Sequence, residues 1–221
     1  MSFEVLPLLD IQRQLLEQPR DLARFQAYLK TLLNDQGDGI AVPINAFNPM
    51  AKEPIKVILD DLVALDAEGI LRAAAVEVNI QFPGERAFKT GWVVADDLQG
   101  TWTHRPTGEL KRWRGKDYEL EHGFCTVTWW SSQGRPTEVA LRQQAAGQLY
   151  ALAYCSSKGP QPTLGHLYEL FSRRGHFSGL SQPPPIPPAL ANATDDATLI
   201  AALYGDAEAA KLGYPPLGLL P

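Results

Sequence analysis

The sequence predicts an α+β fold: a small, mostly antiparallel sheet of four to five strands, flanked by N-terminal and C-terminal helices. Apolar residues recur at helical spacing in the first third of the chain and again after Pro136. The middle instead contains segments with a two-residue repeat or with many β-branched and aromatic residues. A short turn pattern at 97–100 favours an antiparallel strand pair. Helices before and after a cluster of strands are typical of the α+β class.

The first third of the chain predicts three helices. Residues 8–36 hold two of them, separated at Pro19, and the second has an apolar stripe followed by Gly37. The third begins near Glu53 with Pro54 in its first turn, where the missing N–H of proline costs nothing. Its buried stripe consists of Ile55, Ile58, Leu59, Leu62 and Leu65.

Four segments of the middle region predict strands. Val76–Phe82 alternates apolar and polar side chains, as a strand with one solvent-exposed face does. Phe88–Ala95 predicts a more buried strand, and Phe124–Ser131 is rich in β-branched and aromatic residues. The tetrapeptide 97–100 has Asp first and Gly last, which is the pattern of a type I turn, and it leads into a strand at 101–105.

Helical spacing returns in the last third. Thr137 and Thr163 are positioned to cap two helices, because a threonine hydroxyl can accept from a backbone N–H of the first turn. A Pro-rich strap at 182–188 must be extended, and a short helical C-terminal extension follows it. We therefore expect residues 1–221 to form a single domain.

Composition excludes several classes of protein. Cys125 and Cys155 are thirty residues apart, which is neither a disulfide framework nor a zinc site and suits a reducing compartment. The longest apolar stretches fall short of the roughly 20 residues that cross a bilayer, and the first residues include Glu4 and Asp10, unlike a secretory signal. A net charge of −5 disfavours general affinity for nucleic acid or anionic membranes. The expectation is a soluble cytoplasmic protein without a membrane partner.

The strong catalytic motifs are missing from the sequence. It contains no glycine-rich nucleotide loop, no nucleophile elbow, no zinc-protease helix motif and no EF-hand loop. Many active sites lack a local motif, so the cofactor stays unknown and the sequence alone does not decide whether the protein is an enzyme.

The best candidate site is the predicted hairpin bend. Asp96 and Asp97 end an apolar strand, where carboxylates on a rigid support can hold a divalent metal or act as a general base. Trp102 and Arg105 follow and could contact a substrate. The alternative interpretation is structural: Asp97 begins the turn and Asp96 is solvated.

Four further polar residues complete the candidate pocket. Glu121 and His122 lie on a segment interpreted as a polar strand edge, and Asn48 and Lys52 precede the third helix. They could supply substrate contacts or proton transfer if the fold brings them to the hairpin bend. A Cys–His nucleophile pair is poorly supported, because residues three apart on a strand face opposite ways.

The stretch 105–116 contains five basic residues around Trp113, a pattern that could grip phosphates and stack a base. It also contains Glu109 and reads as a polar loop, and one short basic run is rarely a nucleic-acid interface. A solvated loop is the favoured interpretation.

Scattered pieces of the sequence resemble a family of uncharacterised bacterial proteins. They are Asn48-Pro49-Met50-Ala51-Lys52, LDDLVALDAE at 59–68, GWVVADDLQGTWTHR at 91–105, Gly159-Pro160 with Thr163-Leu164, and LGYPPLG at 212–218. The resemblance covers most of the chain. It implies no activity, and adds only that Lys52 and the 96–105 segment belong to pieces typical of that family.

Three hypotheses of function remain. The first is a non-enzymatic binding or assembly protein that associates with itself or another protein through the Asp96–Arg105 surface and an exposed tryptophan. The second is an enzyme acting on a small polar substrate, with a divalent metal at Asp96 and Asp97. The third is a weak nucleic-acid binder that uses residues 105–116.

Overall fold

The sheet contains three parallel strands. The computed structural model describes residues 1–51, 54–98, 104–115, 118–183 and 185–218. Within these residues, β1 (Ser2–Val5), β2 (Ala87–Ala95) and β3 (Phe124–Trp130) lie in the order β1-β2-β3. Both neighbouring pairs are parallel. The fold is α+β, but the predicted antiparallel sheet of four to five strands is wrong.

A helix between β2 and β3 explains the parallel arrangement. Residues Arg105–Trp113 form α5, whereas the sequence was interpreted there as the end of a hairpin and a polar loop. A helical crossover returns the chain to the same end of the sheet, so the strand that follows is parallel. The predicted turn at 97–100 and strand at 101–105 lie mostly outside the described residues.

The predicted strand Val76–Phe82 is also wrong, because this segment lies in the helix Ala67–Gln81. The buried face of that helix is built from Leu71, Ala74, Ala75 and Val78, at helical spacing. Val76 and Ile80, which were expected to face a core, are 61% and 72% exposed. A two-residue alternation can therefore arise on a helix whose solvent side carries β-branched residues.

Other helices agree with the sequence pattern. The chain leaves its first helix before Pro19, the third begins directly after Pro54, and the hydroxyls of Thr137 and Thr163 accept from the backbone N–H groups of Ala140 and His166. The remaining helices are α1 (Leu8–Glu17), α2 (Leu22–Leu32), α3 (Ile55–Ala64), α4 (Ala67–Gln81), α6 (Tyr118–Glu121), α7 (Glu138–Lys158), α8 (Leu164–Ser178), α9 (Asp196–Tyr204) and α10 (Asp206–Lys211). None of the helices in the described part of the chain is long and apolar enough to cross a membrane.

Glutamine side chains close both open edges of the sheet where no strand continues. β1 ends at Val5, so it does not pair with the last part of β2. There Gln12 of α1 bonds the backbone instead: its Nε2 donates to Trp92 O at 2.8 Å and its Oε1 accepts from Val94 N at 2.9 Å. On the other edge, Gln148 Oε1 accepts from Thr128 N at 3.2 Å. A primary amide reproduces the donor and acceptor of a missing peptide group, so these buried backbone groups stay paired.

The two faces of the sheet differ in chemistry. Because side chains alternate along a strand, Trp129 lies on the same face as its register neighbour Val94, and Trp130 lies on the opposite one. The Trp129 face also carries Trp92 and is packed with apolar side chains of the main core. The Trp130 face carries Thr126 and Thr128 from β3, and it is beside this polar face that the candidate site lies.

Candidate functional site

Asp96 and Asp97 link the carboxyl ends of β2 and β3 through hydrogen bonds. Asp96 Oδ1 accepts from Ser131 Oγ at 2.9 Å and from Leu98 N at 3.1 Å. Asp97 accepts from the N and Oγ of Ser132 at 2.9 and 2.6 Å. These contacts are structural, but Asp96 is 8% exposed and not solvated as expected, and the turn expected to begin at Asp97 lies partly outside the described residues. No group of three or more His, Cys, Asp or Glu side chains in the described ranges could hold a metal ion.

A cavity of about 310 Å³, here called the strand-end cavity, opens beside Asp97. Ligands of parallel sheets bind outside the carboxyl ends of the strands, which is where this cavity lies. The predicted candidates Asp97 and Arg105 both line it, and the side chains of His104, Ser132, Tyr204 and Glu208 complete its polar wall.

The charged groups near the strand-end cavity are bonded to one another. Arg105 Nε donates to Glu109 Oε1 at 3.1 Å, and Tyr204 OH donates to Glu109 Oε2 at 2.8 Å. Burial lowers the pKa of Arg105, but the charge and hydrogen bond of Glu109 outweigh it and raise that pKa above its ordinary value. Burial, with the nearby Glu109 carboxylate, raises the pKa of Tyr204 well above its ordinary value. Arg105 therefore stays cationic and Tyr204 neutral.

The remaining predicted site residues lie apart from this cavity. Asn48 Oδ1 accepts from Met50 N at 2.9 Å and shapes the loop before α3. Glu121 lines a separate cavity of about 160 Å³, and His122 is exposed with its ring stacked on Tyr118. Lys52 and Trp102 lie outside the described residues.

Of the four basic residues of 105–116 that the structure describes, three are paired with acids. Besides the Arg105–Glu109 pair, Arg112 pairs with Glu119 and Arg114 pairs with Asp196. These ion pairs use the charge that contacts with nucleic-acid phosphates would need.

A second cavity, of about 440 Å³, lies between α5, α6, β3 and the loop at 40–46. We call it the tryptophan cavity, because Trp113 of α5 and Trp130 of β3 both line it and are 1% and 5% exposed. Tyr118 adds a third aromatic ring to the wall. The four tryptophans that the structure describes are all buried, so none of them supplies the exposed tryptophan of the assembly hypothesis.

A buried ion pair forms the polar part of this wall. Glu119 is 2% exposed, and its Oε2 accepts from Arg112 Nη2 at 3.2 Å and from Thr126 Oγ1 at 2.8 Å. Arg112 Nη1 also donates to Thr126 O at 2.7 Å, so the guanidinium closes an open carbonyl of β3. Because both side chains of the pair bond Thr126 of β3, the strand fixes their position in the cavity wall.

The helix that sequence reasoning missed, and that supplies several residues of the tryptophan cavity, is α5. Pro106, Leu110 and Trp113 are its buried residues, and their spacing of four and three is helical. Pro106 also suits the first turn of a helix. Those two signals could have identified the helix that the basic composition concealed. The opposite orientation of Trp129 and Trp130 was foreseeable from strand alternation, but the cavity under Trp130 was not.

Comparison with known proteins yields no matching family model, no matching curated protein and no matching solved structure.

Proposed function

We propose that this protein binds a small organic molecule in the tryptophan cavity. The observation that carries the proposal is an aromatic cavity of about 440 Å³ whose wall includes a buried Arg112–Glu119 pair. Sites for small molecules usually enclose some 300–1,000 Å³ and combine apolar or aromatic walls with a few fixed polar groups. The tryptophan cavity meets each of these conditions.

The strand-end cavity is a weaker candidate for the binding site than the tryptophan cavity. The carboxylates of Asp97 and Glu208 are engaged by Ser132 and Lys211, and Arg105 is engaged by Glu109. These groups satisfy one another without a ligand. The tryptophan cavity instead contains aromatic rings that a planar molecule can stack on or pack against, which is a large part of the binding energy in such sites.

Gly108 offers a test that leaves the fold intact. This residue lies on α5 and lines the tryptophan cavity, and a Cβ added to it meets no atom within 4 Å. The Cβ of a leucine at this position therefore meets no atom, and its side chain adds three further carbons to a position that lines the cavity. An alanine adds only one methyl group and gives the same helix preference, so Gly108→Ala is the matched control.

The experiment is a titration of ¹⁵N-labelled protein with a panel of planar one-ring and two-ring compounds. We expect at least one compound to shift the backbone resonances of residues 107–113 and 128–130 in the wild type and in Gly108→Ala. The same compound should shift neither set in Gly108→Leu. Binding that is unchanged in Gly108→Leu, or a panel that moves no cavity resonance, would refute the proposal.

A further inference from the structure

Three buried N–H groups have no acceptor, and all three belong to residues that line the tryptophan cavity. They are Trp113 Nε1, Trp130 Nε1 and His104 Nε2, none of which has a hydrogen-bond partner among the described residues. Buried polar groups are nearly always paired in native proteins, and an unpaired one calls for a missing partner. Trp113 and Trp130 line this cavity, whereas His104 also lines the strand-end cavity. The two indole N–H groups therefore point most directly to a ligand as their common partner.

His104 belongs to this set as a donor because of its other nitrogen. The backbone N–H of Thr107 donates to His104 Nδ1 at 3.5 Å, as part of the cap of α5. In the neutral ring, Nδ1 is then an acceptor and Nε2 carries the proton. The nearest carboxylate oxygen, Glu208 Oε2, is 3.9 Å from Nε2, which is too far for a hydrogen bond.

The acceptors in the same wall already have donors. Glu109 accepts from Arg105 and Tyr204, and Glu119 accepts from Arg112. The amide of Gln148 is bonded at both ends to Thr128. The buried side-chain atoms of the wall that lack a partner among the described residues are therefore all donors. Lys111, which also lines the cavity, forms no ion pair with any acid in the described ranges and adds a positive charge.

We infer that the ligand of the tryptophan cavity is a planar molecule rich in hydrogen-bond acceptors, such as carbonyl or carboxylate oxygens, and poor in donors. This inference rests on the proposed function and specifies its ligand class. In the complex, the N–H groups of Trp113, Trp130 and His104 donate to the oxygens of the ligand. A molecule that offers only donors leaves all three groups unpaired.

Coumarin and indole test the inference as a matched pair. Both are planar two-ring molecules, but coumarin has two oxygen acceptors and no donor, whereas indole has one N–H donor and no oxygen. The readout is the indole N–H region of the ¹H–¹⁵N spectrum of the full chain, which contains five tryptophans. Single Trp→Phe variants assign the five signals. Affinity is measured from the backbone shifts of 107–113 in the same titration.

We expect coumarin to bind at least on the order of tenfold more tightly than indole, because two or three added hydrogen bonds are worth about that factor. Coumarin should also move the N–H signals of Trp113 and Trp130 downfield and leave those of Trp92 and Trp129 in place. Equal affinities, or stationary Trp113 and Trp130 signals in a bound complex, would overturn the inference while the proposed function survives. If neither compound binds in a manner sensitive to Gly108→Leu, the inference fails for these probes, and the wider panel decides the proposed function separately.

Discussion

The two pairs of tryptophans in this protein have opposite surroundings. Trp92 and Trp129 pack together with their rings 6.4 Å apart, and their indole N–H groups donate to Ala67 O at 2.7 Å and Gly134 O at 3.0 Å. Trp113 and Trp130 are equally buried, but neither indole N–H has a partner in the described part of the chain. One pair completes a core, and the other borders a cavity.

We infer from this difference which of the two tryptophan pairs is placed to contact a ligand. Leaving a buried donor unpaired costs about 1–3 kcal/mol. The first pair is explained by stability alone. The second is explained if a ligand supplies the acceptors, and so the tryptophan cavity, rather than the apolar core, is the place to test function.

The largest effect should come from the ion pair that borders the cavity. Arg112→Met removes the guanidinium from a carboxylate that is 3% exposed, and breaking a buried pair costs about 3–5 kcal/mol. The control is Arg142→Met, whose partner Glu138 is 59% exposed and whose loss should cost less than about 0.5 kcal/mol. Urea unfolding measures both. Similar losses for the two variants would mean that the Arg112–Glu119 pair is solvated.

The two glutamines that close the sheet edges give the next largest difference. Gln12→Ala leaves Trp92 O and Val94 N without a partner in a dry core. It should lower the free energy of unfolding by about 3 kcal/mol. Gln148→Ala leaves only Thr128 N without a partner, because the Thr128 carbonyl still accepts from Gln144 Nε2 at 3.1 Å. Water in the adjoining cavity can replace the lost partner, so we expect about 1 kcal/mol. Chemical denaturation compares them, and an equal or larger loss for Gln148→Ala would show that the cavity is closed to water.

Replacing each buried tryptophan with phenylalanine tests the comparison directly. Trp92→Phe and Trp129→Phe remove a donor that has an acceptor, so each should cost about 1–2 kcal/mol more than Trp113→Phe or Trp130→Phe. In the second pair the substitution also removes an unpaired donor, which offsets part of the lost packing. Unfolding midpoints of the four variants provide the measurement. If all four lose the same stability, the unpaired N–H groups are satisfied in solution.

The smallest expected effect is a gain in stability at the cavity wall. Gly108→Ala should raise the free energy of unfolding by about 0.5–1 kcal/mol, because alanine is the better helix former and its methyl group meets no atom. Thermal unfolding detects this shift. The matched change Gly147→Ala in α7 should gain less stability, since a Cβ there comes within 2.7 Å of Leu180 Cδ1 and that side chain must move. A loss of stability in Gly108→Ala would show that this part of the cavity is already filled.

Helix ends and isolated strands were predictable from local sequence. Thr137 and Thr163 cap helices because a hydroxyl beside an apolar repeat has a nearby backbone N–H to accept from, whatever the rest of the fold does. β2 and β3 were predicted almost to the residue, since their apolar and β-branched content fits a buried strand. The proposed binding site was not predicted: Asp97 and Arg105 line the strand-end cavity, Asn48, Glu121 and His122 lie elsewhere, and no predicted site residue that the structure describes lines the tryptophan cavity.

Local sequence was enough to predict the helices that Thr137 and Thr163 cap and the buried strands β2 and β3, because these depend on neighbours within a few residues. The parallel direction of the strands and the shared cavity of Trp113 and Trp130 are instead set by the packing of the whole fold. Both outcomes depend on where the helix after β2 packs, which long-range burial controls. The pairing of Arg112 with Glu119 and the unpaired N–H groups beside them are likewise properties of the packed molecule.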